Sequence, residues 1–329
     1  MIAYALILVG LALLGLAVRF ALDHKRAWEA RALLFVVLTP PGVGIAAFGV
    51  LNAWVSAVVP PEPVHYTVAN GIRYDRKVMD TPFPRVWHVV KVDLRTPGLQ
   101  VLVTPGDPSR LLPVNAKTPS DFAREVQADM VINGDVFEPK HSFDPFAPPP
   151  TPGDALRPLG FAASKGVPYG KPPTAGVTSP TLFFAENNVA NIGTPSGTAY
   201  NAISGDCIFL TGGKLASEAG CALPGKVIAR SGAGLDRDRQ TLILVVVDGQ
   251  QATRSLGANL EDFAKLMADE GADTAIELDS GSSSALAGRR AQGGVGLLSG
   301  PVTGGVPGLE KPVANHLAII GEQRLTTAY

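Results

Sequence analysis

TLILVVVDGQQATRSLGANLEDFAKLMADEGADTAIELDSGSSSALA, residues 241–287, encodes a strand, a helix and a second strand in close succession. The unbroken apolar run Leu242–Val247 is stopped by Asp248-Gly249, and its shortness and β-branched content predict a buried strand. Leu260, Phe263, Ala264 and Met267 then recur at helical spacing, with Asn259 as N-cap and Gly271 as terminator. Thr274–Leu278 predicts a second strand that runs into Asp279 and a series of small hydroxyl residues. Period two places Glu277 and Asp279 on one face, with Cα atoms about 7 Å apart, and turns Ile276 and Leu278 toward a core. Ser280-Gly281-Ser282-Ser283-Ser284 can bring amides and hydroxyls close to a ligand. The competing reading is a strand end followed by a solvated turn.

Working outward, the chain has 329 residues, ample to bury a core in one large domain or two small ones. A net charge of −1 supplies no field that would draw in nucleic acid. Only 17% of residues are charged and mean hydropathy is +0.19, an apolar excess concentrated at the N-terminus. Ile2–Val18 carries no charge and is just long enough to span a bilayer. Ala32–Val59 is a second uncharged stretch, interrupted by Pro40-Pro41-Gly42. Its part after the prolines is marginal alone, so this span is kinked or begins before them. No Lys or Arg precedes the first span, which argues against a cleaved signal peptide.

Arg19, Lys25, Arg26 and Arg31 flank or fill the connection between the two stretches, and the next basic residue is Arg73. The positive-inside rule therefore puts the connection in the cytoplasm and the chain from about residue 60 onward across the inner membrane, in the periplasm or outside the cell. Residues 1–59 read as a two-helix transmembrane anchor, 60–85 as a tether with the first strands, and 86–321 as the exported domain. In an oxidising compartment Cys207 and Cys221 can close a loop worth about 3 kcal/mol, with two unrelated buried thiols as the lesser alternative.

Val64–Val103 alternates like β-structure and is punctuated by proline turns. Pro119–Gln127 predicts a short helix with Ser120 as its N-cap. Met130–Asn133 predicts an apolar strand that stops at Gly134-Asp135. Residues 138–173 are proline-dense and aperiodic, as in a functional rim or a disordered loop. Short strands are predicted at Leu159–Ala162, Thr181–Ala185, Ala199–Ile203 and Cys207–Leu210, and Pro312–Ile320 supplies a last one. The pattern predicts an α+β domain of mixed or antiparallel sheet with flanking helices, preceded by two transmembrane helices.

Five segments, taken in order, resemble the phosphodiester glycosidase family. Val131-Ile132-Asn133-Gly134-Asp135-Val136-Phe137 is similar to the family's Asn-Gly-Gly-Phe-Phe strand end. Ala202-Ile203-Ser204-Gly205 resembles its Ala-Ile-(Gly/Ser)-Gly segment, and Ala229–Gly234 its Pro-Arg-Thr-Ala-Ile-Gly element. Ile276–Ser283 resembles Asn-Leu-Asp-Gly-Gly-Gly-Ser, and Lys311–Asn315 the closing Arg-x-Val-x-Asn. The resemblance covers roughly Val86–Ile320, and its specificity lies in the ordered set rather than in any one motif. Asp135 stands where the family usually has Gly, Glu277 where it has Asn, Ser280 and Ser282 where it has Gly, and Lys311 where it has Arg.

The resemblance implies a hydrolase that cleaves a sugar-1-phosphodiester, and the apolar N-terminal spans make it a membrane-anchored, exported one acting on envelope or extracellular glycoconjugates. Such cleavage passes through an oxocarbenium-like state that a carboxylate stabilises. Asp279 is the first choice for that carboxylate and Glu277 the second, since neighbouring like charges can split acid and base roles. Arg230 is expected to clamp the phosphate bidentately. Asn133 and Asn315 are expected on sugar hydroxyls, Ser283 on Asp279 or the phosphate, and Asp135 and Lys311 as further substrate contacts. Paired carboxylates with serine hydroxyls also suit Ca²⁺ or Mg²⁺, whereas no Cys/His spacing resembles a zinc site. Asp248-Gly249 is expected to be a structural turn and His316 a satisfied histidine in the last strand.

Two other chemistries fit less well. Leu278–Ser283 resembles an aspartic-protease loop, but that chemistry needs a second such aspartate and Asp248-Gly249-Gln250 does not supply it. A serine-protease reading lacks the preceding glycine and a suitable His–Asp pair upstream. The alternative that remains is non-enzymatic: a tethered, catalytically silent domain of this fold that binds envelope glycan or assists polymer assembly. The departures at Asp135, Glu277 and Lys311 suit that alternative.

Overall fold

The computed structural model describes residues 2–23, 27–57, 61–138, 150–170, 179–194, 199–216 and 220–322. The chain divides into two units, Met1–Val59 and Pro60–Tyr329. The first holds two helices, Ile2–Ala21 and Trp28–Ala57. Trp28–Leu51 is long and apolar enough to cross a membrane by length and composition, and Leu8–Ala21 is a shorter apolar helix. The second helix begins before Pro40 and Pro41 and continues through them, resolving the two options that the prolines left open. Thr39 Oγ1 returns a hydrogen bond to the Phe35 carbonyl just ahead of this interruption. Arg31 Nε donates to the Ala21 carbonyl at 2.8 Å, satisfying an acceptor left open at the end of the first helix.

The second unit is α+β and its sheets are antiparallel. Its largest sheet has eight strands in the order Val64–Ala69, Ile72–Met79, Arg85–Asp93, Thr241–Val247, Arg230–Leu235, Thr274–Glu277, Cys207–Thr211 and Lys214–Leu215. A five-stranded sheet, Val295–Leu297, Leu286–Arg289, Met130–Asn133, His316–Ile320 and Gln100–Val103, packs on it. Val90, Leu242, Leu244, Val246 and Ile276 of the larger sheet share one apolar core with Met130, Ile132, Leu317 and Ile319 of the smaller. The opposite side of Thr241–Val247 presents Ile243, Val245 and Val247 to the helix Leu260–Asp269. Burial on both faces explains why this strand is apolar without alternation.

That helix forms as expected. Asn259 Oδ1 accepts from the Asp262 amide at 2.7 Å, and Gly271 follows the C-cap at φ +100°. Leu260, Phe263, Ala264 and Met267 are its buried face. It lies close because the strand below presents glycines: a Cβ on Gly232 would sit 2.9 Å from the Phe263 ring, and one on Gly234 would sit 2.9 Å from Met267 Cε.

A second helix, Pro119–Glu125, is capped by Thr118 and not by Ser120. Pro119 occupies the first turn, where its missing N–H costs nothing, so the cap falls one residue earlier. Ser120 instead donates its hydroxyl to Glu310. Leu159–Ala162 is not a strand either; Ala155–Pro158 and Ala163–Ser164 flank it. Gly160 there turns its amide to a carboxylate, which removes it from any ladder. Thr181–Phe184 and Asn201–Ser204 form with Ala163–Ser164 part of a further five-stranded sheet. Residues 139–149 and 171–178, which include parts of the proline-dense stretch, lie outside the described residues.

Candidate active site

Strand ends of the two packed sheets meet at Asn133 and Asp279. Met130–Asn133 stops at Asn133, and Thr274–Glu277 stops two residues before Asp279. The Asp279 amide donates to the Gly134 carbonyl at 2.9 Å, and Asn133 Nδ2 donates to the Asp279 carbonyl at 2.7 Å. Asn133 Oδ1 in turn accepts from Ser231 Oγ at 2.7 Å and from the Ala285 amide at 3.1 Å. Asn133 is fully buried, so its side chain stitches three segments together. All of these recorded bonds are internal, where a sugar hydroxyl was expected.

Asp279 is half-buried and sits at the centre of the expected set. Burial raises its pKa above the ordinary value. The Lys311 ammonium and hydrogen bonds from Ser283 and the Ser280 amide oppose that rise, and the charge of Asp206 adds to it. Lys311 Nζ donates to Ser283 Oγ at 3.1 Å and lies 5.0 Å from the centre of the Phe137 ring. Lysine, hydroxyl and carboxylate are thus joined on one wall.

Asp135 stands beside them and is almost wholly buried. Its amide donates to Asn315 Oδ1 at 2.8 Å, and its Oδ2 accepts from the Gly160 amide at 3.0 Å. Glycine permits this approach, since a Cβ at residue 160 would lie 2.8 Å from that oxygen. Burial pushes the Asp135 carboxyl well above its ordinary pKa, and the charges of Asp279 and Asp206 push the same way. The Gly160 and Val136 amides resist. Asn315 and Tyr169 adjoin the same carboxyl. The Tyr169 hydroxyl and the Asn315 side chain also lie against each other, although among the described residues neither that hydroxyl nor Asn315 Nδ2 has a hydrogen bond of good geometry. Buried donors of this kind call for an acceptor.

Glu277 and Arg230 form a separate, adjoining cluster. The strand ends at Glu277, so the alternation that would have aligned it with Asp279 stops there, while Ile276 and Leu278 are both buried as expected. Arg230 Nη1 donates to Glu277 Oε1 at 2.5 Å, and Ser280 Oγ donates to the same oxygen at 2.7 Å. Arg230 Nε donates to the Ala258 carbonyl at 2.8 Å, and Nη2 to the carbonyls of Leu223 and Lys226 at 2.8 and 2.9 Å. This guanidinium is fully buried and its recorded bonds are all internal, where a phosphate clamp was expected. Burial raises the Glu277 pKa despite Arg230, and Glu277 Oε2 has no hydrogen-bond partner among the described residues.

Cys207 and Cys221 form a disulfide with Cα atoms 5.0 Å apart, just before the loop that wraps Arg230. The neighbouring Ala222 amide donates to Asp206 Oδ2. Asp206 escaped the sequence reading, although it directly follows the Ala202–Gly205 segment. Its charge acts on Asp135, Glu277 and Asp279 together. Asp206, Glu277 and the Cys207 sulfur lie within 4.8 Å of one another, but the sulfur is spent in the disulfide. Asp206 and Glu277 remain as two carboxylates of that group.

Asp248 is structural, as expected of that turn. Burial opposes its ionisation, yet His88, Arg254 and the Gly300 amide together hold its pKa below the ordinary value. His316 is buried, stacked on Phe122, and bonded through Nδ1 to Thr104 and through Nε2 to the Lys117 carbonyl. Burial depresses its pKa to about 3. It is a satisfied, neutral histidine.

A family model of phosphodiester glycosidases matches residues 127–320. The chain belongs to the phosphodiester glycosidase family. No curated protein matches it. Among solved structures, the pro-peptide-inhibited catalytic domain of zebrafish N-acetylglucosamine-1-phosphodiester alpha-N-acetylglucosaminidase is similar at a TM-score of 0.56 and 19% identity. That match covers 81% of this chain and 92% of the zebrafish one. A hypothetical protein from Synechocystis matches at a TM-score of 0.49 and 16% identity, over 79% and 64% of the respective chains. At such identities the zebrafish match establishes the fold that this phosphodiester glycosidase family member shares with it.

Proposed function

We propose that this chain is a membrane-anchored hydrolase that cleaves a sugar-1-phosphodiester in envelope or extracellular glycoconjugates. The observation that carries the reading is the convergence of Asp279, Ser283 and Lys311 on one wall where two sheets meet. In this mechanism Asp279 faces the anomeric carbon and stabilises the positive charge that develops as the C1–O bond lengthens. Lys311 and Ser283 hold the departing phosphate, an ammonium and a hydroxyl doing what a guanidinium would otherwise do. Asn315 and Asp135 meet the sugar. Arg230 and Glu277 act from behind, fixing the turn that carries Asp279 through Ser280.

The Trp28–Leu51 helix and the disulfide support placement at the inner membrane, with the sheet domain in an oxidising space outside the cytoplasm. The full chain in detergent, incubated with UDP-sugars and p-nitrophenyl sugar phosphodiesters, is expected to release free sugar. Asp279→Asn is expected to lose turnover with its melting temperature intact. The internal commitment of Arg230 favours the second reading, a silent glycan-binding domain. Saturable glycan binding without product across that panel, cations supplied, would establish it in place of the first.

A further inference from the structure

Phosphodiester cleavage leaves Asp135 no acid–base task, because a phosphate leaves without a strong acid. Its surroundings nevertheless build one. Its carboxyl is buried, its recorded hydrogen bonds come from the Gly160 and Val136 amides, and the titratable groups facing it are Asp279, Asp206 and Tyr169. None of these is a cation. Asp279, in the same site, has the Lys311 ammonium and the Ser283 hydroxyl for company. Two neighbouring carboxyl groups in such unlike surroundings divide into a proton donor and an ionised partner. Beside the donor, the Tyr169 hydroxyl and the Asn315 side chain are buried against each other, a polar pair in which neither that hydroxyl nor Asn315 Nδ2 has a bond of good geometry among the described residues.

We propose that the site also hydrolyses O-glycosides, whose leaving group is an alcohol, with Asp135 as proton donor and Asp279 as the carboxylate at the anomeric carbon. This rests on the sugar-cleaving reading above and extends its substrate class. The C1–O bond breaks, and the leaving oxygen takes the Asp135 proton and departs as an alcohol. A water oxygen bonds to C1 and gives a proton to the Asp279 carboxylate. Exchange with solvent returns a proton to Asp135 and removes one from Asp279. The net change is addition of one water across the bond.

The test uses the full chain in detergent and, for several sugars in both anomers, a matched series of methyl, p-nitrophenyl, dinitrophenyl and UDP derivatives. Wild type is expected to cleave the methyl and aryl glycosides. Asp135→Asn is expected to lose about 100-fold or more on the methyl glycoside, with a loss that shrinks as the leaving group improves. The basic limb of the kcat/KM profile should vanish with it. Tyr169→Phe, which keeps the acid, should raise KM and leave that limb in place. An equal loss on every substrate, or none, overturns the proposal, with folding checked by melting. Should Asp135→Asn not fold, wild-type turnover of the methyl glycoside and its basic limb decide. Phosphodiester turnover without cleavage of any O-glycoside overturns this inference alone; no turnover on any substrate overturns the proposed function as well.

Discussion

The side-chain amide of Asn133 donates to the main-chain carbonyl of Asp279 at 2.7 Å, crossing from one sheet to the other. The two residues are far apart in sequence, and the bond sets the height at which the Asp279 carboxyl stands. Asn133→Ala leaves that carbonyl, the Ser231 hydroxyl and the Ala285 amide without their buried partner. A loss of about 2–4 kcal/mol is expected in urea denaturation, since each unsatisfied buried group costs about 1–3 kcal/mol. A loss below about 1 kcal/mol would show that water replaces the amide.

Lys311 works against the burial that raises the Asp279 pKa. Lys311→Met removes that opposition, so the carboxylate ionises at higher pH. The acid limb of kcat/KM for a phosphodiester is therefore expected to move upward, together with a rise in KM from the lost phosphate contact. An unmoved limb would separate Lys311 from Asp279.

Arg230 and Glu277 are expected to behave as one structural unit. Breaking a buried ion pair from one side costs about 3–5 kcal/mol, so Arg230→Met should destabilise the fold on that scale. Replacing both partners together, as Arg230→Met with Glu277→Leu, should cost less than the sum of the single changes. A folded Arg230→Lys protein whose only defect is a higher KM for phosphodiesters would return Arg230 to the substrate.

Asp135 keeps its proton in the folded chain over a range where the unfolded chain has lost it. The associated stability is complete below about pH 3.9, the unfolded value, and is lost as pH rises toward the folded one. Asp135→Asn cannot ionise. Urea midpoints at about pH 5 and pH 8 should therefore show the variant gaining on wild type as pH rises. A constant difference would mean that the carboxyl titrates normally.

Features set by near neighbours were legible in the sequence. The strand–helix–strand unit, the Asn259 cap and the Gly271 terminator depend on residues within a turn of each other, and each is present. Asp279, Ser283 and Lys311 could be gathered through the family's ordered segments, though not from spacing. What Arg230 touches could not be read that way: its partners come from a loop before it, a bridge after it and a neighbouring strand. Asp206 and Tyr169 carried no local signal beyond a position next to a motif or a short strand. The cap at Thr118 was readable in principle, because Pro119 marks the first turn.

The strand Thr241–Val247 has no wet side. Polarity therefore cannot choose its alignment with its neighbours, for a slip of one position would exchange one oily surface for another. The bare backbones of Gly232 and Gly234 supply a choice, because those two rungs leave room for Phe263 and Met267 to seat. A single added methyl group at either rung would lift the helix. The same displacement would carry the neighbouring strand end, and with it the turn that holds Asp279.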